Sequence, residues 1–399
     1  MPLPEQIFGF PIIPPFQYSN IPVKLSSFLI LMLIPPQLLL PQQTFAKPGA
    51  VRTLVQTASL FGSRGVLVHG RSLVTSGKLA EILGNAKTVR TWEHGGGEPT
   101  VDGVDALRAE LKRDRPDWVA AVGGGSVIDL AKAAAGLVDA LESTAFYQRN
   151  ASAIPPATLP LIAAPATAGT GSEATVVSVL TNPAECFKQS IRHPSFMPKI
   201  VLLDPELLVG CPKETIAAAG LDAFIQAFES YTSKYATPFT RALSELALVR
   251  ISQSLLPLYR GDMTFAADML EASYITGLAF SHARLGVIHG LAHPLGARFH
   301  AAHGLTCACC LPAALAFNRT IIEKDLAYLK QCYALDVEVQ VHAWPSEMAL
   351  ENPFAGKRVH DLDTFISEVL ASGSTAANPR VVTAKDVQQL LADITVTAS

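Results

Sequence analysis

Imidazole is the side chain best suited to bind a metal or move a proton near neutral pH. The stretch Gly286–Gly304, GVIHGLAHPLGARFHAAHG, carries four of the chain's ten histidines: His289, His293, His300 and His303. His289 and His293 are four apart and share one face of any helix formed there. Pro294 and Gly296 are expected to bend or end that helix, which puts His303 on the loop or turn beyond. A second clue lies upstream in Gly220–Tyr231, GLDAFIQAFESY, where Asp222 and Gln226 stand one helical turn apart in an apolar setting. A buried carboxylate there needs a partner, and a metal ion is one.

Two glycine-bearing loops could cradle phosphate. Gly123-Gly124-Gly125-Ser126 falls between a strand-like run, Asp117–Val122, and a helical one, Val127–Val138. Backbone N–H groups at such a helix start favour an anion, and glycine lets the ligand approach closely. This is not the spaced GxGxxG fingerprint. Pro165–Glu173, PATAGTGSE, follows the buried run Leu159–Ala164. Both loops would lie at carboxyl ends of parallel strands, the edge where open α/β sheets bind ligands.

The chain that positions these groups has 399 residues, which implies two domains. Hydrophobic residues make up 49% and charged residues 16%, and the net charge of -3 offers no general attraction for nucleic acid or an acidic membrane. Gly65–His69, Thr88–Trp92, Asp117–Val122 and Leu159–Ala164 read as strands alternating with helices, among them Val101–Arg113, the pattern of βαβ units. Beyond Asp204-Pro205 the runs turn helical over Thr215–Tyr231, Pro238–Leu256, Phe265–His282 and Val287–Gly296. Residues 323–358 lack clear periodicity and are expected to be loop. Helical spacing returns in Asp361–Leu370 and Thr383–Ile394, the latter with Thr383 as N-cap. The expectation is three segments: an irregular extension (1–41), an α/β dinucleotide-binding domain with helices on both faces of a parallel sheet (42–205), and an all-helical metal and substrate domain (206–399).

Residues 1–41 hold nine of the 28 prolines. The apolar run Leu25–Ile34 after Lys24, with Thr44-Phe45-Ala46 downstream, shares features of a signal peptide. It starts far from Met1, however, and falls short of the roughly 20 apolar residues a membrane span needs. The six cysteines form no disulfide framework: Cys186, Cys211 and Cys332 are isolated, and Cys307, Cys309 and Cys310 crowd an apolar stretch. Reduced, buried thiols in a cytoplasmic protein are expected.

The ordered set GGGSVIDLAKA, PATAGTGSEAT, LLDPELL, GLDAFIQAFESYTS and GVIHGLAHPLGARFHAAHGL resembles the iron-containing (group III) alcohol dehydrogenases over about residues 42–318, and ANPRVVT near the end resembles their C-terminal part. The resemblance implies hydride transfer between NAD(P)(H) and a small alcohol or aldehyde, assisted by a divalent metal, Fe(II) or Zn(II), in a homodimer or larger assembly. The family's ligands fall on Asp222, Gln226, His289 and His303, so glutamine stands where the family has a second-position histidine. A neutral amide is a poorer ligand for a transition metal than imidazole. Asp222, His289 and His303 alone would match the three-ligand count of catalytic zinc sites. Weaker binding and a changed metal preference are expected, with catalysis retained.

By the same resemblance, His293 lies beside nicotinamide and substrate and is the candidate for proton transfer, while His300 matches no ligand position. Gly124, Gly125 and Ser126 would hold the pyrophosphate, with Asp129 also among the cofactor contacts. Thr167 and Thr170 would lie along the cofactor, and Lys188 would reach its ribose. Many NAD-using members carry an Asp at the end of the first strand. Here Gly70-Arg71 occupies that place, which favours NADP(H) because an arginine can take a 2′-phosphate. Two alternatives stay open: a metal-independent, maleylacetate reductase-like enzyme, and a nucleotide-binding homologue that has lost catalysis.

Overall fold

The computed structural model describes residues 32–185 and 187–396. Its first part is built from short apolar runs bounded by glycine, proline or aspartate, the composition of buried strands. In chain order these are β1 (Gln43–Ala46), α1 (Leu54–Ala58), β2 (Gly65–Gly70), α2 (Arg71–Thr75), α3 (Lys78–Leu83) and β3 (Val89–His94). They continue as α4 (Val101–Asp114), β4 (Trp118–Gly123), α5 (Gly125–Gly136), α6 (Thr144–Arg149) and β5 (Leu161–Pro165). A hairpin of β6 (Val177–Asn182) and β7 (Phe187–Arg192) precedes the last strand, β8 (Ile200–Leu203).

Six strands form one parallel sheet in the order β1-β8-β5-β4-β2-β3. Alternate side chains feed two separate cores. Val66, Val68, Val119 and Ala121 pack toward α4 and α5, while Leu67, Ala120 and Val122 pack with Leu54 and Leu73 on the other face. After β2 the chain moves outward to β3, and from β4 it moves the opposite way. The carboxyl ends of β2 and β4 therefore flank the topological switch point, where sheets of this kind open a crevice.

The second part is helical: α7 (Lys213–Thr232), α8 (Pro238–Tyr259), α9 (Ala266–Ala283), α10 (Val287–Phe299), α11 (His303–Tyr333), α12 (Val337–Glu347), α13 (Leu362–Ala371) and α14 (Ala384–Thr395). One core, including Phe224, Leu248, Leu291, Leu311 and Trp344, holds them together. The N-cap expected at Thr383 is present, in a reciprocal capping box with Asp386.

Three expectations are corrected. First, α10 runs through Pro294 and Gly296 to Phe299, because burial of Leu291, Ala292 and Leu295 outweighs one missing N–H. Second, His303 is not on a turn but is the first residue of α11. Third, the loop expected over 323–358 is largely helix. Ile322, Leu326 and Leu329 continue the buried stripe of α11, and Val337, Val341 and Trp344 bury a face of α12. The 31 residues of α11 are long and apolar enough to cross a membrane by length and composition, but half of the most apolar window is buried inside the molecule.

Most of the signal-like run, residues 25–31, lies outside the described residues, as does Cys186. Thr44-Phe45-Ala46 belongs to β1 and pairs with β8. The segment before it crosses the helical part. The Leu33 carbonyl accepts from the Phe239 backbone N–H (3.0 Å), the Leu39 N–H donates to His282 Nε2 (3.0 Å), and Thr44 Oγ1 meets the Tyr274 hydroxyl (2.7 Å).

Candidate active site

A cavity of about 730 Å³ runs from the start of α5 to the middle of α7, one face of α10 and the start of α11. Ser126 and Thr170 line its sheet end, and Asp222, His289, His293 and His303 its helical end. The sheet end follows from glycine. A Cβ on Gly123 would come within 2.6 Å of Val127, and one on Gly125 within 2.6 Å of Thr170. Only bare backbone lets the strand turn into the helix beneath the 166–171 loop. Gly124 lies against Thr167, and Gly70 packs beside Val127. Gly70, Gly124, Gly125, Ser126, Thr167 and Thr170 are thus gathered at the switch point, with the N–H groups of α5 open at one end.

The other expected cofactor residues are placed less uniformly. Asp129 lines the cavity, but its oxygens are taken by the Ser172 hydroxyl and the Val179 N–H (2.9 Å). It therefore ties α5 to β6. Lys132, fully buried one turn on, donates to the Ser172 carbonyl (2.6 Å) and Val177 carbonyl (2.6 Å) in the same stretch. Lys188, carried by the hairpin, lines the cavity and is paired with Glu98. Arg71 stands outside the cavity wall with its side chain open to solvent, 3.5 Å from Glu93.

At the helical end, Asp222 and Gln226 project from the same side of α7, as their spacing requires. Gln226 Nε2 donates to Asp222 Oδ2 (2.9 Å). Asp222 Oδ1 then faces His289 Nε2 at 3.3 Å and His303 Nε2 at 3.7 Å. Three donors from α7, α10 and α11 point at one spot. Glu229, seven residues after Asp222 on the same face, accepts from His289 Nδ1 (2.7 Å) and from the Ile288 N–H (2.7 Å). That hydrogen bond leaves His289 Nε2 aimed at Asp222, the carboxylate–histidine arrangement that supports metal ligands. Cys307, one turn after His303, places Sγ 3.7 Å from His303 Nε2. The donor atoms of Asp222, His289, His303 and Cys307 all lie within 4.8 Å of one another.

Charge is unevenly distributed over this cluster. Burial opposes a proton on His289, but contacts with Cys307, Asp222 and Glu229 raise its pKa well above the ordinary value. Burial, reinforced by His293, Lys188 and His289, drives His303 well below it. His293 is pushed down to about 3 by burial and by the nearby Lys188 and His289. Its ring stacks on that of His303 with centroids 5.2 Å apart. Gln226 Oε1 is buried with no hydrogen-bond partner, a loss of about 1–3 kcal/mol for a carbonyl held from water. Two carboxylates, converging imidazoles and an orphaned amide oxygen are a donor set that suits a cation, so the residues present fit a divalent ion. His300 takes the left-handed cap of α10 (φ 51°), exposed and away from the cluster.

Sequence reasoning missed Glu229 and Cys307 in this site. Both were signalled by helical spacing, Glu229 from Asp222 and Gln226, Cys307 from His303. It also missed the hairpin that carries Lys188.

A family model described as "Iron-containing alcohol dehydrogenase" matches residues 41–205, and one described as "Fe-containing alcohol dehydrogenase family, C-terminal" matches 216–395. The "Probable alcohol dehydrogenase EutG" of Escherichia coli (strain K12) is 38% identical over 296 residues, 72% of this chain and 75% of that protein. The "NADPH-dependent butanol dehydrogenase" of Clostridium saccharobutylicum is 32% identical over 304 residues, 73% of this chain and 76% of that one. Among solved structures, the iron-containing alcohol dehydrogenase from Thermococcus thioreducens superposes with a TM-score of 0.79 at 25% identity, covering 90% of this chain and 99% of its own.

Proposed function

The chain belongs to the iron-containing alcohol dehydrogenase family and is an NAD(P)-linked oxidoreductase of that class, and we propose how its residues divide the work. Residues 42–205 are the dinucleotide-binding domain and 206–399 the metal and substrate domain. The observation that carries the reading is the meeting of Asp222 Oδ1, His289 Nε2 and His303 Nε2 on the wall of the cavity that reaches the start of α5.

Asp222, His289 and His303 would hold the ion, with Glu229 fixing the ring of His289. The N–H groups of Gly125 and Ser126 bind the pyrophosphate, while Thr167 and Thr170 shape the loop above it. Asp129 and Lys188 position the walls through β6 and Glu98. When bound, a divalent ion supplies Lewis acidity toward a substrate oxygen and the nicotinamide supplies the hydride. His293, held neutral on the cavity wall, can position the substrate hydroxyl by hydrogen bonding.

NADP(H) is the preferred cofactor in this reading. The ion pair of Arg71 with Glu93 is exposed and worth little, so the guanidinium remains available to a 2′-phosphate. Substrates are small alcohols and aldehydes, turned over by a cytoplasmic homodimer or larger assembly that needs neither nucleic acid nor membrane. The metal-independent alternative is not favoured, since it leaves the converged donors without a role. The test is metal content of protein purified without chelator, followed by aldehyde reduction with NADPH. About one divalent ion per chain, and activity lost on chelation and restored on reloading, is the expected result. An active, metal-free protein would sink the reading.

A further inference from the structure

We propose that Cys307 is a metal ligand, so that the ion is held by Asp222, His289, His303 and Cys307 in place of an Asp and three histidines. The inference rests on the metal reading above and goes beyond it in naming the fourth donor and the kind of ion selected.

Gln226 is in the place of the missing imidazole, but its amide nitrogen is committed to Asp222 Oδ2. Exchanging the amide nitrogen and oxygen would set two oxygens against each other, so the hydrogen bond fixes the orientation. The vacated corner is reached instead from α11. His303 and Cys307 are one turn apart on that helix, as Asp222 and Gln226 are on α7. The pair of donors at i and i+4 has in effect moved from one helix to the other.

The spacing agrees with a small tetrahedral ion. Bonds of about 2.0–2.1 Å to nitrogen or oxygen and about 2.3 Å to sulfur put neighbouring N and O donors about 3.3 Å apart, and N and S about 3.6 Å apart. Three of the six separations are 3.3 Å for Asp222–His289, 3.7 Å for Asp222–His303 and 3.7 Å for His303–Cys307, and the other three lie within 4.8 Å. Cys307 is completely buried, and among the chain's described cysteines only its sulfur joins the donor group. Cys309 and Cys310 belong to the same helix but not to that group. Their presence makes a simple preference for small apolar residues a competing account of Cys307, and the test must separate the two.

A thiolate in the donor set has a predictable effect on metal choice. Soft sulfur favours zinc, and its spectroscopic substitute cobalt, over iron in a site otherwise built from imidazole and carboxylate. The geometry therefore points to a zinc enzyme within a family named for iron.

The experiment titrates the metal-free full-length protein with Co²⁺ and follows absorption. Thiolate ligation gives a sulfur-to-cobalt charge-transfer band in the near ultraviolet together with visible bands typical of four-coordination. The expected result is that the wild type and Cys309→Ser both show the charge-transfer band at about one ion per chain. Cys307→Ser should lose it and bind zinc at least about tenfold more weakly. Cobalt bound by the wild type without that band would overturn the assignment of Cys307 while leaving the metal reading intact. No cobalt or zinc bound by the wild type, with binding gained in Gln226→His, would overturn both. The wild-type spectrum decides the matter even where Cys307→Ser fails to fold.

Discussion

Glu229 and His289 are joined by a 2.7 Å hydrogen bond between Oε2 and Nδ1, deep inside the helical part, with side-chain exposures of 5% and 2%. The imidazole cannot rotate away from Asp222 without stranding a buried carboxylate. Replacing Glu229 by glutamine keeps the shape and weakens this hold. The variant should bind zinc about 10–100-fold more weakly, as chelator competition would measure. Unchanged affinity would mean that His289 is oriented by packing alone.

His293 faces the cavity but is outside the donor group. His293→Phe should therefore keep its ion while losing turnover by about 10²-fold, the cost of a substrate held out of place. Metal analysis and steady-state kinetics on one preparation check both halves. Loss of the ion would place His293 in the metal centre instead.

Arg71 touches the cavity wall nowhere, so its removal should leave aldehyde reduction with NADH unaffected. With NADPH, loss of a charge-assisted bond worth about 1.5–3 kcal/mol predicts a fall in kcat/KM of about ten- to a hundredfold for Arg71→Ala. Equal effects on both cofactors would remove the basis for the NADP(H) preference.

Glu173 reports on stability rather than chemistry. Burial lifts its carboxyl pKa to about 7, and Oε1 has no hydrogen-bond partner. Because the folded pKa is raised, the folded state holds a proton that the unfolded chain releases above its ordinary 4.5. This group's contribution is thus full below that value and is lost as pH climbs to about 7, at up to about 1.4 kcal/mol per pH unit. Glu173→Gln should be more stable than the wild type at pH 8 by about 1–3 kcal/mol, a difference that shrinks toward pH 5. Urea midpoints at the two pH values test it, and a pH-independent difference would contradict the assignment.

How far these features could be read beforehand depended on where each signal resides. Strand–helix alternation and the Gly123–Ser126 turn are local, and they led directly to the parallel sheet. The hairpin escaped because the buried positions of β6 are Ser178, Leu180 and Asn182. Two of the three are polar, and the Ser178 hydroxyl donates to the Asp129 carbonyl. A strand whose inward face is hydrogen-bonded to the next layer shows no apolar alternation. The helices of 323–358 carried their stripe at Val337, Val341 and Trp344, but charged and polar neighbours diluted it. In the sequence Cys307 stands with Cys309 and Cys310 in one apolar stretch. Its relation to Asp222 exists only once α7 and α11 are packed together.

The segment 33–46 has a mechanical consequence. It leaves α8 at Phe239, passes α9 at His282 and Tyr274, and ends as β1 on the sheet edge. Here, as well as near residue 205, the chain passes between its sheet and its helices, and Arg192 on β7 adds a side-chain bond to the Ser281 carbonyl on α9. A single proteolytic cut between residues 34 and 41 would release only the segment's own tie, because the Arg192–Ser281 bond and the close backbone approach of Gly171 to Gly277 still hold the sheet against the helices.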